Sequence, residues 1–234
     1  MQGPPLTADR IDAILAGIDD QQAQVSSFYT LGKVLLKDGI LEAEADALIL
    51  GTRDPFRIKI ELTHSWGKPL LHILVDHDRL EVLSFKDRKR YAGNLNPGAL
   101  SRFFPGEPDI SMIWAALRGY PAVLQSGNIV SRKAGELIVI DDKGKEIQSL
   151  ALSEEKDIPA KVRFPLQGVQ VTYTAYQSDG EIRYAREVRV EHTESNKSLI
   201  LTRKKTVFNK TIPEAIFSLK KPPHFDEANL EEMR

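Results

Sequence analysis

From Leu41 to Leu62 the chain changes character at almost every second residue. Leu41, Ala43, Ala45, Ala47 and Ile49 are interleaved with Glu42, Glu44 and Asp46, and Phe56, Ile58, Ile60 and Leu62 with Arg57, Lys59 and Glu61. Successive side chains of a strand point to opposite faces, so a period of two describes strands with one wet face and one covered face. The runs are separated by Lys37-Asp38-Gly39, Gly67-Lys68-Pro69 and Asp76-His77-Asp78. Connections this short favour antiparallel neighbours. The pattern returns further on. Glu136–Ile140 and Glu146–Leu152 flank the turn Asp141-Asp142-Lys143-Gly144. Val169, Val171, Tyr173 and Ala175 lead through Ser178-Asp179-Gly180 to Ile182, Tyr184, Val188 and Val190. A last strand is expected near Leu199 to Phe208.

A sheet with one apolar face needs a cover. Two segments offer one. From Thr7 to about Gln24, Ile11, Ile14, Leu15 and Ile18 recur at the spacing of one helical face, with Thr7 placed to cap the start and Asp9 suited to the positive end of the helix dipole. After the Pro- and Gly-rich stretch 94–108, Ile110, Ile113, Trp114 and Leu117 give a second helical face. The expected class is therefore mainly β with α (α+β), a single antiparallel sheet with helices against its apolar face. Residues 1–234 read as one domain with an extended leader, 1–6, and a charged tail, 221–234. The run Lys86, Arg88, Lys89, Arg90, broken by Asp87, reads as a solvated loop.

Composition narrows the function classes. The net charge is −1, without the basic surplus of a nucleic-acid binder, and the absence of cysteine excludes disulfides and thiolate metal sites. No apolar run approaches the roughly 18 residues of a membrane-spanning helix. There is no Gly-rich phosphate loop, no Gly-x-Ser-x-Gly elbow and no His-Glu-x-x-His. The five histidines, His64, His72, His77, His192 and His224, are not paired at a helical ligand spacing. Asp76, Asp78, Asp141 and Asp142 are explained by turn chemistry, since Asp bonds its own backbone in tight turns.

Two features carry more than one reading. Ala43, Ala45 and Ala47 leave room beside their strand, either for a helix or for a cavity. Ser65-Trp66-Gly67-Lys68-Pro69 forms a hairpin tip with a large aromatic on it. Trp66 either folds back onto a neighbour or meets a membrane interface, where an apolar ring with a hydrated N–H is at home.

Three short segments bear on a known family. They are Arg53-Asp54-Pro55-Phe56-Arg57, Asp76-His77-Asp78-Arg79-Leu80, and Thr211-Ile212-Pro213-Glu214-Ala215-Ile216-Phe217-Ser218-Leu219 followed by Pro222. In order and spacing the chain resembles the bacterial lipoprotein-localisation superfamily of the periplasmic carrier LolA and the outer-membrane receptor LolB. The closing segment is similar to the family's Pro-containing turn before a Phe-bearing strand. Leu62-Thr63-His64-Ser65-Trp66-Gly67 looks like the receptor's protruding loop, and this chain lacks the receptor's acylated N-terminal cysteine.

The resemblance implies an open, incomplete β-barrel with helices over its concave face, in the bacterial cell envelope: at the periplasmic face of the outer membrane, or in the periplasm for a soluble carrier. It implies binding of the acyl chains of lipoproteins or lipids without bond-making chemistry, and no nucleotide or metal cofactor. The implied partners are a membrane surface and a periplasmic carrier protein, with no nucleic acid. Phe56, Ile58, Ile60, Leu71 and Ile73 would line the cavity, Ile14, Ile18, Trp114 and Leu117 would form the lid, and Trp66 would face the membrane. Other readings are an envelope sensor or scaffold that binds protein with the same fold, and an enzyme acting on envelope lipids.

Overall fold

The structure is a computed structural model that describes residues 3–153 and 158–233. Met1 and Gln2 of the expected leader and Arg234 of the expected tail lie outside the described residues. The elements in chain order are α1 (Ala8–Ala23), β1 (Ser27–Asp38), β2 (Leu41–Arg53), β3 (Phe56–Thr63), β4 (Pro69–Asp76), β5 (Arg79–Ser84) and β6 (Lys89–Asn94). They continue with α2 (Pro97–Leu100), α3 (Ile110–Arg118), β7 (Asn128–Val130), β8 (Glu136–Ile140), β9 (Glu146–Leu152) and β10 (Pro159–Phe164). The last are β11 (Val169–Asp179), β12 (Ile182–His192), β13 (Lys197–Phe208) and β14 (Asp226–Asn229).

All fourteen strands belong to one sheet, ordered β14-β6-β5-β4-β3-β2-β1-β13-β12-β11-β10-β9-β8-β7. Two meanders meet at the long β1–β13 pair, which runs from Phe28↔Phe208 to Asp38↔Lys197. The sheet does not close, and β14 and β7 are its free margins. This is the α+β, open-barrel architecture expected, with one difference. β14 lies parallel to β6, so the sheet is mixed rather than wholly antiparallel. The chain passes from β13 through an irregular segment, 209–225, before adding β14 to the β6 margin. The segment read as a charged tail thus supplies a strand, and Leu230 just beyond it is buried.

The helices sit where local chemistry starts and stops them. The Asp109 carboxylate accepts from the Met112 N–H at 2.9 Å to begin α3, and Gly119, at φ 88°, ends it in the left-handed conformation. Asn96 caps α2 by accepting from the Ala99 N–H at 2.8 Å. Thr7 occupies the cap position of α1, but its side chain makes no capping hydrogen bond. On the concave face Trp114 packs edge-on to Phe28 at 5.0 Å and tilted against Phe56 at 5.6 Å. Gly51 of β2 is what admits them. A Cβ there would lie 2.6 Å from the Phe28 ring and 3.0 Å from Trp114. Gly51→Ala is therefore expected to cost about 1–3 kcal/mol by overpacking, measured by urea unfolding. A loss below about 0.5 kcal/mol would show that α3 does not rest on this glycine.

The convex face departs from the wet face that alternation implied. Leu50, Leu74 and Leu83 point outward and are covered by Phe217 and Leu219, with Ile212 and Phe225 packed alongside. Phe217 and Leu219 lie in irregular chain, not in the strand implied by the resemblance. The same segment takes up the charges beneath it. The Lys59 ammonium donates to the Ile216 carbonyl at 2.9 Å and pairs with Glu61 at 2.8 Å, and Arg57 meets Asp76 at 3.0 Å and Glu214 at 2.9 Å. Lys89 and Arg90 are likewise not loop residues. They open β6, where Arg90 pairs with Glu81 at 2.7 Å and Glu227 at 3.4 Å. Cross-strand partners supply countercharge that the local sequence conceals. Ala175 sits at an irregular step in β11 with φ 53°, which breaks the inward alternation after Tyr173.

Candidate functional site: an apolar cavity under the sheet

The concave face is filled at one end and hollow at the other. At Gly51 the Phe28 ring and Trp114 of α3 pack directly on the sheet. Towards the β1–β2 turn the cover stops, and a cavity of about 530 Å³ remains, within the roughly 300–1,000 Å³ of typical ligand sites. Its walls come from Val34 and Leu36 of β1, Leu41, Ala43 and Ile49 of β2, Ile60 and Leu62 of β3, and Leu71 and Ile73 of β4. Leu199 and Leu201 of β13, Phe103 and Phe104 after α2, and Leu117 of α3 complete them. Charge is confined to the rim, where Lys37 pairs with Glu42 at 3.0 Å and Lys197 with Asp38 at 3.5 Å. Arg102, also at the rim, donates to the carbonyls of Leu230, Met233 and Glu231, fastening the stretch after α2 to the C-terminal residues. The interior offers dispersion contacts and almost no hydrogen bonds, so what it can hold is hydrocarbon.

Ile60, Leu71, Ile73 and Leu117 are brought together at this cavity. Phe56, Ile58 and Trp114 stand instead at the filled end, because Gly51 lets α3 descend there. Ile14 and Ile18 are buried under α1 beside Tyr120, Ile158 and Arg183, away from the cavity. Of the three alanines, Ala45 and Ala47 are buried, whereas Ala43 is an open wall of the cavity. Leu199 and Leu201 were legible as strand residues but not as wall. Phe103 and Phe104 lie in the Pro- and Gly-rich stretch, where no periodicity marks them.

Two buried arginines that no motif announces hold α3 in place. Arg203 of β13 donates to the carbonyls of Ala116 at 2.9 Å and Leu117 at 2.7 Å, and to Ala185 at 2.8 Å. A cation at the C-terminal end of a helix is favoured by the dipole and satisfies carbonyls the helix cannot. Arg118 donates to the carbonyls of Arg183 at 3.0 Å and of Gln21, and lies over the Tyr120 ring at 4.8 Å. Burial pulls both guanidiniums down to about 10, so both stay cationic at neutral pH. The same burial pushes the Tyr173 and Tyr176 phenols up. Both arginines donate to backbone carbonyls, with the Tyr120 ring against Arg118, an arrangement for holding α3 in place. Among the described residues no group of three or more His, Asp or Glu could hold a metal ion, and no helix is long and apolar enough to cross a membrane.

Trp66 stands at the β3–β4 tip with 72% of its surface exposed, its ring stacked on His64 at 4.2 Å and 6°. The stacking orders the indole without burying it.

No family model and no curated protein sequence matches the chain. Solved structures do. A LolA superfamily protein from Nitrosomonas europaea superposes with a TM-score of 0.56 at 14% identity, over 89% of this chain and 97% of that one. The chain has the LolA fold. A Vibrio parahaemolyticus domain named for outer membrane lipoprotein sorting shares it, with a TM-score of 0.53, 11% identity, and 87% and 95% of the two chains covered. So does a DUF1329 family protein from Desulfovibrio piger, with a TM-score of 0.54, 9% identity, and 89% and 97% covered. Near-complete coverage on both sides means that the likeness is one of the fold as a whole.

Proposed function

We propose that the protein shelters the acyl chains of lipoproteins or lipids in this cavity and releases them at a membrane in the bacterial envelope. The observation that carries the proposal is an apolar cavity, polar only at its rim, on the hollow end of a LolA-like sheet. Each CH₂ withdrawn from water contributes about 0.8 kcal/mol, so one acyl chain represents on the order of 10 kcal/mol. A molecule that accepts such a chain needs no catalysis. It needs an affinity above that of the donor and below that of the bilayer. The finer reading is a receptor that accepts lipoproteins from a periplasmic carrier at the periplasmic face of the outer membrane, with Trp66 meeting the lipid. A carrier role would use the same cavity. Ile60, Leu71, Ile73 and Leu117 are proposed to touch the acyl chains, together with Ala43, Leu199 and Leu201.

The test is displacement of an environment-sensitive fluorescent probe by a triacylated lipoprotein peptide, against the same peptide without acyl chains. Saturable displacement by the acylated form alone is expected. Failure of both peptides, with the protein folded by circular dichroism, would overturn acyl binding and leave a protein-binding scaffold as the reading of this fold.

A further inference from the structure

The β1–β2 hairpin ends in a way that folding alone does not explain. Its two-residue turn is Gly39-Ile40, closed by the pair Asp38↔Leu41, and Gly39 at φ 61° supplies the left-handed conformation. The second turn position, where a polar residue would serve, holds an isoleucine that is 101% exposed. Leu41 beside it is 72% exposed and also lines the cavity. A single apolar side chain is thus shared between solvent and the proposed acyl site.

The register shows why. β3 pairs with β2 only from Asp46↔Thr63 onward, so residues 41–45 run past the end of β3 with one side of β2 unpaired. At about 3.3 Å per residue this overhang is roughly 16 Å, and the cavity wall at Leu41 and Ala43 lies along it. On the other side the turn is anchored, with the Gly39 N–H donating to the Asn196 carbonyl at 3.4 Å. The cavity therefore opens sideways, between the overhanging hairpin and the β3–β4 tip that carries Trp66.

We infer that this lateral gap is the portal for acyl chains, and that Ile40 is an insertion residue which seats the portal in the lipid of a bilayer. The inference rests on the acyl-binding reading above and adds to it a second membrane contact, on a different hairpin from Trp66. Three observations choose lipid as the occupant. The apolar side chains stand on separate hairpin tips, a form that penetrates a soft phase but offers no flat patch to a rigid protein surface. Lys37 and Lys197, paired with Glu42 and Asp38, stand just behind the tip, so charge of both signs lies at the level of zwitterionic headgroups while the tip itself is apolar. Leu41 continues the apolar path from tip to cavity, so a chain can pass between bilayer and protein without crossing water.

The experiment uses the full chain and sedimentation with vesicles of phosphatidylethanolamine and phosphatidylglycerol. Ile40→Glu is expected to lower vesicle binding on the order of tenfold, from loss of one buried isoleucine. It should leave acylated-peptide displacement in solution unchanged, since Ile40 is outside the cavity wall. Ile40→Trp in a Trp66→Phe background should show fluorescence quenched by lipids brominated on their acyl chains. Vesicle binding unchanged in Ile40→Glu, or no quenching in Ile40→Trp, would overturn the inference. So would a dimer by analytical ultracentrifugation that Ile40→Glu dissolves, which would make the occupant a second copy. If the acylated peptide fails to displace probe from the unaltered protein, it is the acyl-binding reading that falls, a result separate from the vesicle measurement.

Discussion

Replacing Arg203 by leucine is expected to lower the stability of the protein by on the order of 3 kcal/mol, two opposing effects being in play. Removing a buried guanidinium relieves its desolvation, which by itself can be favourable by several kcal/mol. Yet the three carbonyls it serves, on Ala116, Leu117 and Ala185, remain where they are. Leucine is too short to fill the space and donates nothing. Each stripped carbonyl costs about 1–3 kcal/mol, and the sum exceeds the relief. Lysine should rescue poorly, since one ammonium on a flexible stem cannot reproduce a planar fork that spans α3 and β12. Urea unfolding of Arg203→Leu and Arg203→Lys tests this. A loss under about 1 kcal/mol in the leucine variant would mean that α3 is held by its apolar contacts alone.

The second large effect separates cavity from core within one strand. Ala43 and Ala47 are the same residue type on the same face of β2, two positions apart from a common neighbour. Ala43→Phe is expected to fill open space, leaving stability within about 0.5 kcal/mol. The same change should cut affinity for an acylated peptide by on the order of tenfold or more, the loss of about two buried methylenes. Ala47→Phe is expected to cost about 1–3 kcal/mol through overpacking of a site only 4% exposed. Probe displacement and urea unfolding on both variants read the two effects independently. Unchanged acyl affinity in Ala43→Phe would remove the hollow end of the sheet from the binding site.

That pair of alanines also marks where the sequence stops being legible. Alternation at Leu41–Ile49 and Phe56–Leu62 identifies the covered face because side-chain direction is local to the strand. The turns at 141–144 and 178–180 are legible for the same reason. Which part of that face is covered depends on where α3 comes down, and that is decided by Gly51 against Phe28 and Trp114, contacts between distant segments. Alternation alone therefore does not separate Phe56, Ile58 and Trp114 from Ile60, Leu71, Ile73 and Leu117, which line the cavity. Arg90 looked like loop because the carboxylates that accommodate it, Glu81 and Glu227, come from β5 and β14. Arg118 and Arg203 left no trace at all. Their partners are carbonyls, and a backbone carbonyl has no signature in a sequence.

A closed barrel has a fixed girth, since changing it means breaking a ladder or shearing its register. Here the ladder stops at β7 on one flank and at β14 on the other. Drawing those margins apart breaks no bond of the ladder. It is resisted beneath the sheet by side-chain packing and by the hydrogen bonds that tie the covering chain to it, the Glu107 N–H to the Gln167 carbonyl at 3.0 Å and Arg203 to the carbonyls of α3. With no closed ladder to fix it, the girth of the hollow is set by what packs beneath the sheet, closer to a spring clip than to a socket. Under the proposed acyl-binding function, such a holder would grip by area of contact, discriminate weakly by the length of what it grips, and take occupants of several sizes.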